Sequence, residues 1–371
     1  MTKILVVTNN LDKGLGITEW IRHYYNRLVL YPDIQVNIIV ESGRVNIPDK
    51  YFDENIKIIS FPQMKIHPFR YIYNWVRHLN QIKRYDYVHI HADNLTKFIP
   101  LWLLRKQNNV VIHSHNSTND KVENSRVKSL MNRVGKHIVS NGNFIRFACS
   151  DTAARWLFGN MPYVQVNNGV EIDDFKFNPT LRVEYQHELN LDNKYVFAHV
   201  GRFSHQKNQV RLIHIFKEIQ RLQPNAQLLL IGQGNLEDVV RQMVVSNRLE
   251  KNVQFLGYRD DVKGIMNAVD AVVFPSLYEG LPISLIEAQV NGVPVYYSSR
   301  ITSEVQILPT STSFNLNDSD AKIAGRILDK LKLKDTNLKE RDKASTIVER
   351  AGYSDQHTIK QLYAFYTKQR N

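Results

Sequence analysis

The sequence predicts an α/β protein made of two doubly wound, mostly parallel-sheet halves. Three observations predict it. Short β-branched apolar runs alternate with longer stretches of helical periodicity, and that alternation restarts after residue 193. The chain of 371 residues also exceeds what one hydrophobic core usually serves.

In the first half, KILVVTN reads as a strand, Asn9 to Gly16 as a loop carrying Gly14 and Gly16, and ITEWIRHYYNRLVLYP as a helix by its apolar spacing. Strands follow at VNIIVES, IKIISF, YVHIHA, VVIHSH, RFACS and VQVNNG. The helical stretches RYIYNWVRHLNQIKR and TKFIPLWLLRKQ lie between them. Phe175 to Asn193 is the candidate linker. The second half then reads YVFAHVG, a helix through VRLIHIFKEIQRL, QLLLIG, a helix through LEDVVRQMVVSN, VQFLG and a short helix DVKGIMNAV. The next strand, AVVF from Ala271, stops at Pro275. A loop with Glu279 and Gly280 follows, then a helix from Leu281 that Gly292 should cap, then the strand-like VPVYY. The expected domains are 1–178, 179–350, and a final helix within 351–371 that packs back on the first domain.

An apolar content of 43% and a charged content of 23% belong to a globular chain. No apolar run is long enough to span a bilayer, and the apolar start is too short for a signal peptide, so a cytoplasmic location is expected. The single cysteine, Cys149, excludes an internal disulfide and a multi-cysteine zinc site. The formal charge of +12 is concentrated: residues 61–150 hold 14 Lys and Arg against 4 Asp and Glu. Such an excess suits an anionic partner, whether a membrane surface, a phosphate-bearing acceptor or nucleic acid; solvated helix faces are the alternative.

Two stretches carry chemistry. At the carboxyl end of YVFAHV stands GRFSHQKN, where Gly201 permits close backbone approach, Arg202 can fork onto phosphate oxygens and Lys207 adds a point charge. A solvated loop is the alternative. Glu279 and Glu287 have seven residues between them. On one helix they would differ by about 80° in azimuth and about 12 Å in rise. They suit two contacts along one elongated ligand, and not the acid and base pair of a glycoside hydrolase.

Taken together, EGLPISLIEAQVNGVPV, GRFSHQKN and VNNGVEIDDF resemble the signature segments of retaining glycosyltransferase family 4, sugar-nucleotide-dependent transferases of bacterial polysaccharide and glycolipid synthesis. The resemblance covers essentially the whole chain. It implies the GT-B fold, two Rossmann-like domains facing a central cleft, with an acceptor-side first domain and a nucleotide-sugar-binding second domain. It implies a hexose or N-acetylhexosamine moved from a nucleoside diphosphate, with UDP expected, to a polyprenyl-diphosphate-linked oligosaccharide or glycolipid.

Residue by residue, the resemblance implies that Arg202 and Lys207 neutralise the donor diphosphate, Glu287 accepts from the ribose hydroxyls, and Glu279 binds the transferred sugar. Gly280, Leu281, Ile283 and Ser284 would add backbone donors, Tyr258 and Arg259 would lie near the base, and Gly16 would approach the diphosphate. His115 aligns with the family's donor-sugar histidine, and alternation puts it on one face with His113. The catalytic set is thus His115, Glu279, Arg202 and Lys207, with no covalent nucleophile or base assigned and neither metal nor cofactor implied. The partners are the nucleotide-sugar donor, a lipid-linked saccharide acceptor and an anionic membrane met by the basic first half, peripherally on the inner face of the plasma membrane, with no nucleic acid. A GT-B epimerase or phosphorylase is the alternative chemistry. A non-catalytic anionic-surface or nucleic-acid module is the alternative class, and it leaves the glutamate motif unexplained.

Overall fold

The computed structural model describes residues 1–332 and 338–368; residues 369–371 of the expected closing segment and the side chains of Lys121, Lys332, Leu338 and Lys339 lie outside the described residues. The chain divides into two compact units, Met1–Asn168 with Gln356–Asn371, and Gly169–Asp355.

The first unit is built on a seven-stranded sheet of β1 (Thr2–Thr8), β2 (Ile34–Val40), β3 (Lys57–Ser60), β4 (Tyr87–Ala92), β5 (Val110–Ser114), β6 (Phe144–Ala148) and β7 (Val164–Gln165). Their order is β3-β2-β1-β4-β5-β6-β7, every pair parallel. The nearly continuous apolar strands follow from this arrangement, because helices cover both faces of a parallel sheet. Helix Gly16–Leu28 buries Trp20, Ile21, Tyr24, Tyr25 and Leu28 against the sheet, where the core also holds Ile4, Val6, Val36 and Ile38. Full burial of each such side chain contributes about 1.5–3 kcal/mol before entropy. The closing helix Asp355–Thr367 places Ile359, Leu362 and Tyr366 in this same core.

The second unit repeats the plan with β8 (Tyr195–Val200), β9 (Ala226–Ile231), β10 (Val253–Gly257), β11 (Ala271–Phe274), β12 (Val295–Ser298) and β13 (Thr312–Phe314), in the order β10-β9-β8-β11-β12-β13. Its pairs are likewise parallel. The helix after β11 runs Ile283–Val290, starting two positions later than expected because Pro282 takes the extended N-cap position. It ends as expected at Gly292, whose φ of 74° is the left-handed cap. The Val293 N–H donates to Ala288 O at 2.9 Å and the Gly292 N–H to Gln289 O at 3.0 Å.

The expected linker is not one. Pro179–Glu188 is a helix capped by Asn178, whose side chain accepts from the Thr180 and Leu181 N–H groups, and it belongs to the second unit. It packs on helix Val262–Ala268, and Arg182 reaches Asp270 at 2.6 Å. The division between units falls after Asn168, earlier than residue 178. The turn Ile172–Phe175 packs on helices of the second unit, and the Asn178 N–H donates to Asn267 Oδ1 at 2.8 Å.

Candidate functional site

In the second unit the strand order reverses between β8 and β11, which pair directly through Phe197 and Ala271. Loops leaving the carboxyl ends of two strands at such a switch point diverge and leave a crevice between them. The loops here are the ones that carry GRFSHQKN and the Glu279 motif.

They are bound to each other. The Leu277 N–H donates to Gln206 O at 2.8 Å, and Asn208, left-handed at φ 56°, donates its side-chain amide to Pro275 O at 3.0 Å. Gln206 Nε2 donates to Tyr278 O and to Glu279 Oε2, both at 3.1 Å. Lys207 Nζ lies 2.8 Å from Glu279 Oε1 and 4.7 Å from the centre of the Phe274 ring. The Lys207 and Glu279 side chains are only 17% and 7% exposed. Water screens this pair poorly, so each charge depends on the other. Behind it His199 stacks on Phe274, and burial, helped by the Lys207 charge, pushes its imidazole down to about 3.

Arg202 differs from Lys207. Its side chain is exposed and meets no hydrogen-bond or ion-pair partner among the described residues. Gly280 and Leu281 are buried, Ile283 and Ser284 half-buried, and the Ser284 hydroxyl donates to Val200 O at 3.3 Å, tying the helix start to the end of β8. Glu287 follows one turn into that helix. Its carboxyl has no hydrogen-bond or ion-pair partner among the described residues, and burial pushes it up to about 7. Tyr258 and Arg259 leave β10, two strands away from β8; Tyr258 is exposed. The Arg259 guanidinium already forks onto Asp261 at 2.7 and 2.5 Å and reaches Glu188 at 3.5 Å, so those carboxylates hold its charge.

Gly16 and His115 belong to the first unit. Gly14 has a φ of 82°, so its glycine is a backbone requirement. Gly16 opens helix Gly16–Leu28, and a Cβ there would meet nothing within 4 Å. Gly14→Ala is therefore expected to cost about 1–2 kcal/mol, and Gly16→Ala to leave thermal stability unchanged, both read by calorimetry. Internal packing among the described residues therefore gives Gly16 no reason to be glycine.

His115 directly follows β5, and its ring centre lies 4.1 Å from that of His113, on one face as alternation requires. Sequence reading missed two partners. His89 and His91, two apart on β4, join them, with His91 Nδ1 at 2.8 Å from His115 Nε2 and Trp20 packed against the array. The signal was the recurrence of His-x-His in two adjacent strands. Burial holds all four imidazoles below the ordinary histidine range, His115 at about 3. His89, His91 and His113 bring one nitrogen each within 4.8 Å of one another. The 10° stack of His89 on His91 sends their lone pairs along nearly parallel planes rather than to one point; His91 and His115 are hydrogen-bonded within the array, whereas His89 Nε2 and both ring nitrogens of His113 meet no hydrogen-bond partner among the described residues.

The second-unit elements point to one group of proteins. Residues 182–350 match the family described as Glycosyl transferases group 1. The chain is 30% identical over 245 residues to EpsF of Bacillus subtilis strain 168, covering 64% of each chain. It is 34% identical over 140 residues to the UDP-Gal:alpha-D-GlcNAc-diphosphoundecaprenol alpha-1,3-galactosyltransferase of Escherichia coli, covering 36% of each. The matches thus span less than two thirds of these relatives. Among solved structures, Anabaena HepE in complex with UDP superposes with a TM-score of 0.78 at 16% identity, over 99% of this chain and 100% of that one. The same protein with UDP-glucose gives a TM-score of 0.76 at 18% identity, over 100% of both chains. The fold is GT-B.

Proposed function

We propose that this protein is a retaining glycosyltransferase of family 4 that moves a hexose or N-acetylhexosamine from a UDP-sugar to a polyprenyl-diphosphate-linked oligosaccharide or glycolipid in cell-surface polysaccharide synthesis. The observation that carries the reading is the interlock of Lys207, Gln206 and Glu279 at the switch point, flanked by the Arg202 guanidinium and the Glu287 carboxyl, neither of which has a partner among the described residues. Two cations suit the diphosphate, and two carboxylates suit hydroxyls at its opposite ends.

In this reading Arg202 and Lys207 meet the charge that develops on the leaving UDP, with N–H groups at the start of helix Ile283–Val290 as further donors. Glu279, already oriented by Lys207 and Gln206, accepts from the transferred sugar, and Glu287 accepts from the ribose. Tyr258 and the Arg259 backbone are assigned to the base, Gly16 to the diphosphate and His115 to the sugar. Acceptor attack and UDP departure share one face of the sugar, so positioning and electrostatics supply the rate. The reaction as proposed uses no metal or cofactor, and chelators should leave it unchanged. Radiolabelled UDP-sugars with a polyprenyl-diphosphate acceptor test the reading: transfer or slow donor hydrolysis supports it. Neither activity, together with tight nucleic-acid binding, would favour a non-catalytic module.

Glu287 connects stability with binding. Its folded-state carboxyl titrates higher than the ordinary 4.5, so below that pH it imposes no penalty, and stability is lost as pH rises through about 7. Ribose hydroxyls favour the ionised form. Glu287→Gln should therefore raise the melting temperature of the ligand-free protein at pH 8 and weaken UDP binding about tenfold or more by calorimetry. An unchanged affinity would remove Glu287 from the ribose.

The acceptor side is assigned to an anionic membrane on the inner face of the plasma membrane. Helix Pro68–Ile82 buries Tyr71, Trp75 and Ile82 but exposes Phe69, Ile72, Tyr73 and Val76. Those positions are spaced i, i+3, i+4, i+7, an apolar stripe on the outer face, with Lys65, Arg70, Arg77, Lys83 and Arg84 exposed around it. An interfacial helix with a cationic rim fits an anionic bilayer surface. Among the described residues no helix is long and apolar enough to cross a membrane. Sedimentation with phosphatidylglycerol vesicles should show salt-sensitive binding that Phe69→Asp reduces severalfold. Absence of such binding would point to a water-soluble acceptor.

A further inference from the structure

The histidine array contains a chain of contacts that ends at His115. Tyr25 OH lies 3.1 Å from His91 Nε2 and 3.0 Å from His89 Nδ1, Tyr366 OH lies 2.5 Å from His89 Nδ1, and His91 Nδ1 lies 2.8 Å from His115 Nε2. Tyr25 and Tyr366 also approach each other at 3.3 Å. Tyr25, His89, His91 and Tyr366 are all buried, whereas His115 is half-buried. Its Nδ1 has no partner among the described residues.

A neutral imidazole offers one donor and one acceptor. If Tyr366 donates to His89 and Tyr25 donates to His91 Nε2, then His91 donates from Nδ1 and His115 carries its proton on Nδ1. Reversing the chain makes His115 donate from Nε2, and Nδ1 becomes an acceptor. In both states Nε2 is occupied and Nδ1 is the only ring atom left for a ligand. A sugar hydroxyl, which both donates and accepts, suits either state; a phosphate oxygen suits one.

We propose that His91 is a positioning residue for His115: it occupies Nε2, so the ring meets a hydroxyl of the transferred sugar through Nδ1 alone, and Tyr25 holds His91 from its far side. This rests on the reading that His115 contacts the donor sugar.

Three substitutions at His91 test it. Asn places an amide near the Nδ1 position and keeps the bond to His115; Gln places it near Nε2 and keeps only the bond to Tyr25; Phe keeps the ring packing and neither bond. The expected result is a kcat about tenfold or more lower in His91→Gln and His91→Phe, with donor KM little changed, UDP affinity unchanged, and most of kcat restored in His91→Asn. Wild-type kcat in His91→Gln and His91→Phe, or an Asn variant as poor as Phe, would overturn the proposal. Wild-type kcat in His115→Ala would instead remove the reading beneath it. If a variant fails to fold by circular dichroism, ring ¹⁵N shifts of the wild-type protein decide. A neutral His115 ring whose Nε2 carries the shift of a hydrogen-bonded nitrogen, in either tautomer, is expected, and an Nε2 shift of an unbonded nitrogen is the contrary result.

Discussion

Lys207→Ala is expected to abolish sugar transfer and to destabilise the protein in the same step. The ammonium is the point charge nearest Glu279, 2.8 Å away in a nearly closed site against Phe274. Losing one pre-set partner of a developing anion costs about a hundred- to a thousandfold in kcat. Alanine also strands the Glu279 carboxylate, and removing one member of a buried pair costs about 3–5 kcal/mol. Arginine will not substitute, since its planar fork is longer than the space a primary ammonium fills. Glu279→Ala should likewise abolish transfer. The two effects on stability are coupled: Lys207→Ala/Glu279→Ala should melt above either single variant, because neither charge is then left alone. A double variant that melts as low as the sum of the singles would show that the pair is not a unit. Retention of most activity in both singles would mean that the donor is held elsewhere.

Arg202→Ala is expected to lose activity without losing stability. Its side chain is exposed and without a partner among the described residues, so its removal should change the folding free energy by no more than about 0.5 kcal/mol. In the proposed reaction it is the second contact to the diphosphate, and kcat should fall about a hundredfold. Calorimetric melting and single-turnover transfer measured on one preparation separate the two quantities. A parallel drop in both would make Arg202 a structural residue. An unchanged rate would leave Lys207 as the sole charged contact.

The contrast between these two cations shows what was legible in the sequence. That both leave one strand in front of a helix follows from GRFSHQKN and its neighbours. That Lys207 is already paired does not, because its partner is 72 positions away and meets it only where β8 and β11 are adjacent. The two doubly wound halves were legible because apolar periodicity is local. Helix Pro179–Glu188 is not legible there, and its sequence reads as a linker. It buries no side chain completely, and what anchors it is polar and distant: Asn178 on Asn267 and Arg182 on Asp270.

The histidines divide in the same way. His115 was legible from its place after VVIHS, and its relation to His113 from alternation. Its bond to His91 needed the order β1-β4-β5, which places the two His-x-His segments on neighbouring strands in register at His91 and His113. The Gly14 and Gly16 pair was likewise ambiguous in sequence and is separated by one dihedral angle and one open space.

The most direct test of the central claim is isothermal titration of the wild-type protein and of Arg202→Ala and Lys207→Ala with a panel of sugar nucleotides. One-to-one binding of a UDP-sugar by the wild type is expected, with stabilisation by about 2.7 kcal/mol at a ligand concentration 100 times the dissociation constant. Both substitutions should severely weaken that binding. No binding of any sugar nucleotide by the folded wild type, or equal binding by all three proteins, would contradict it.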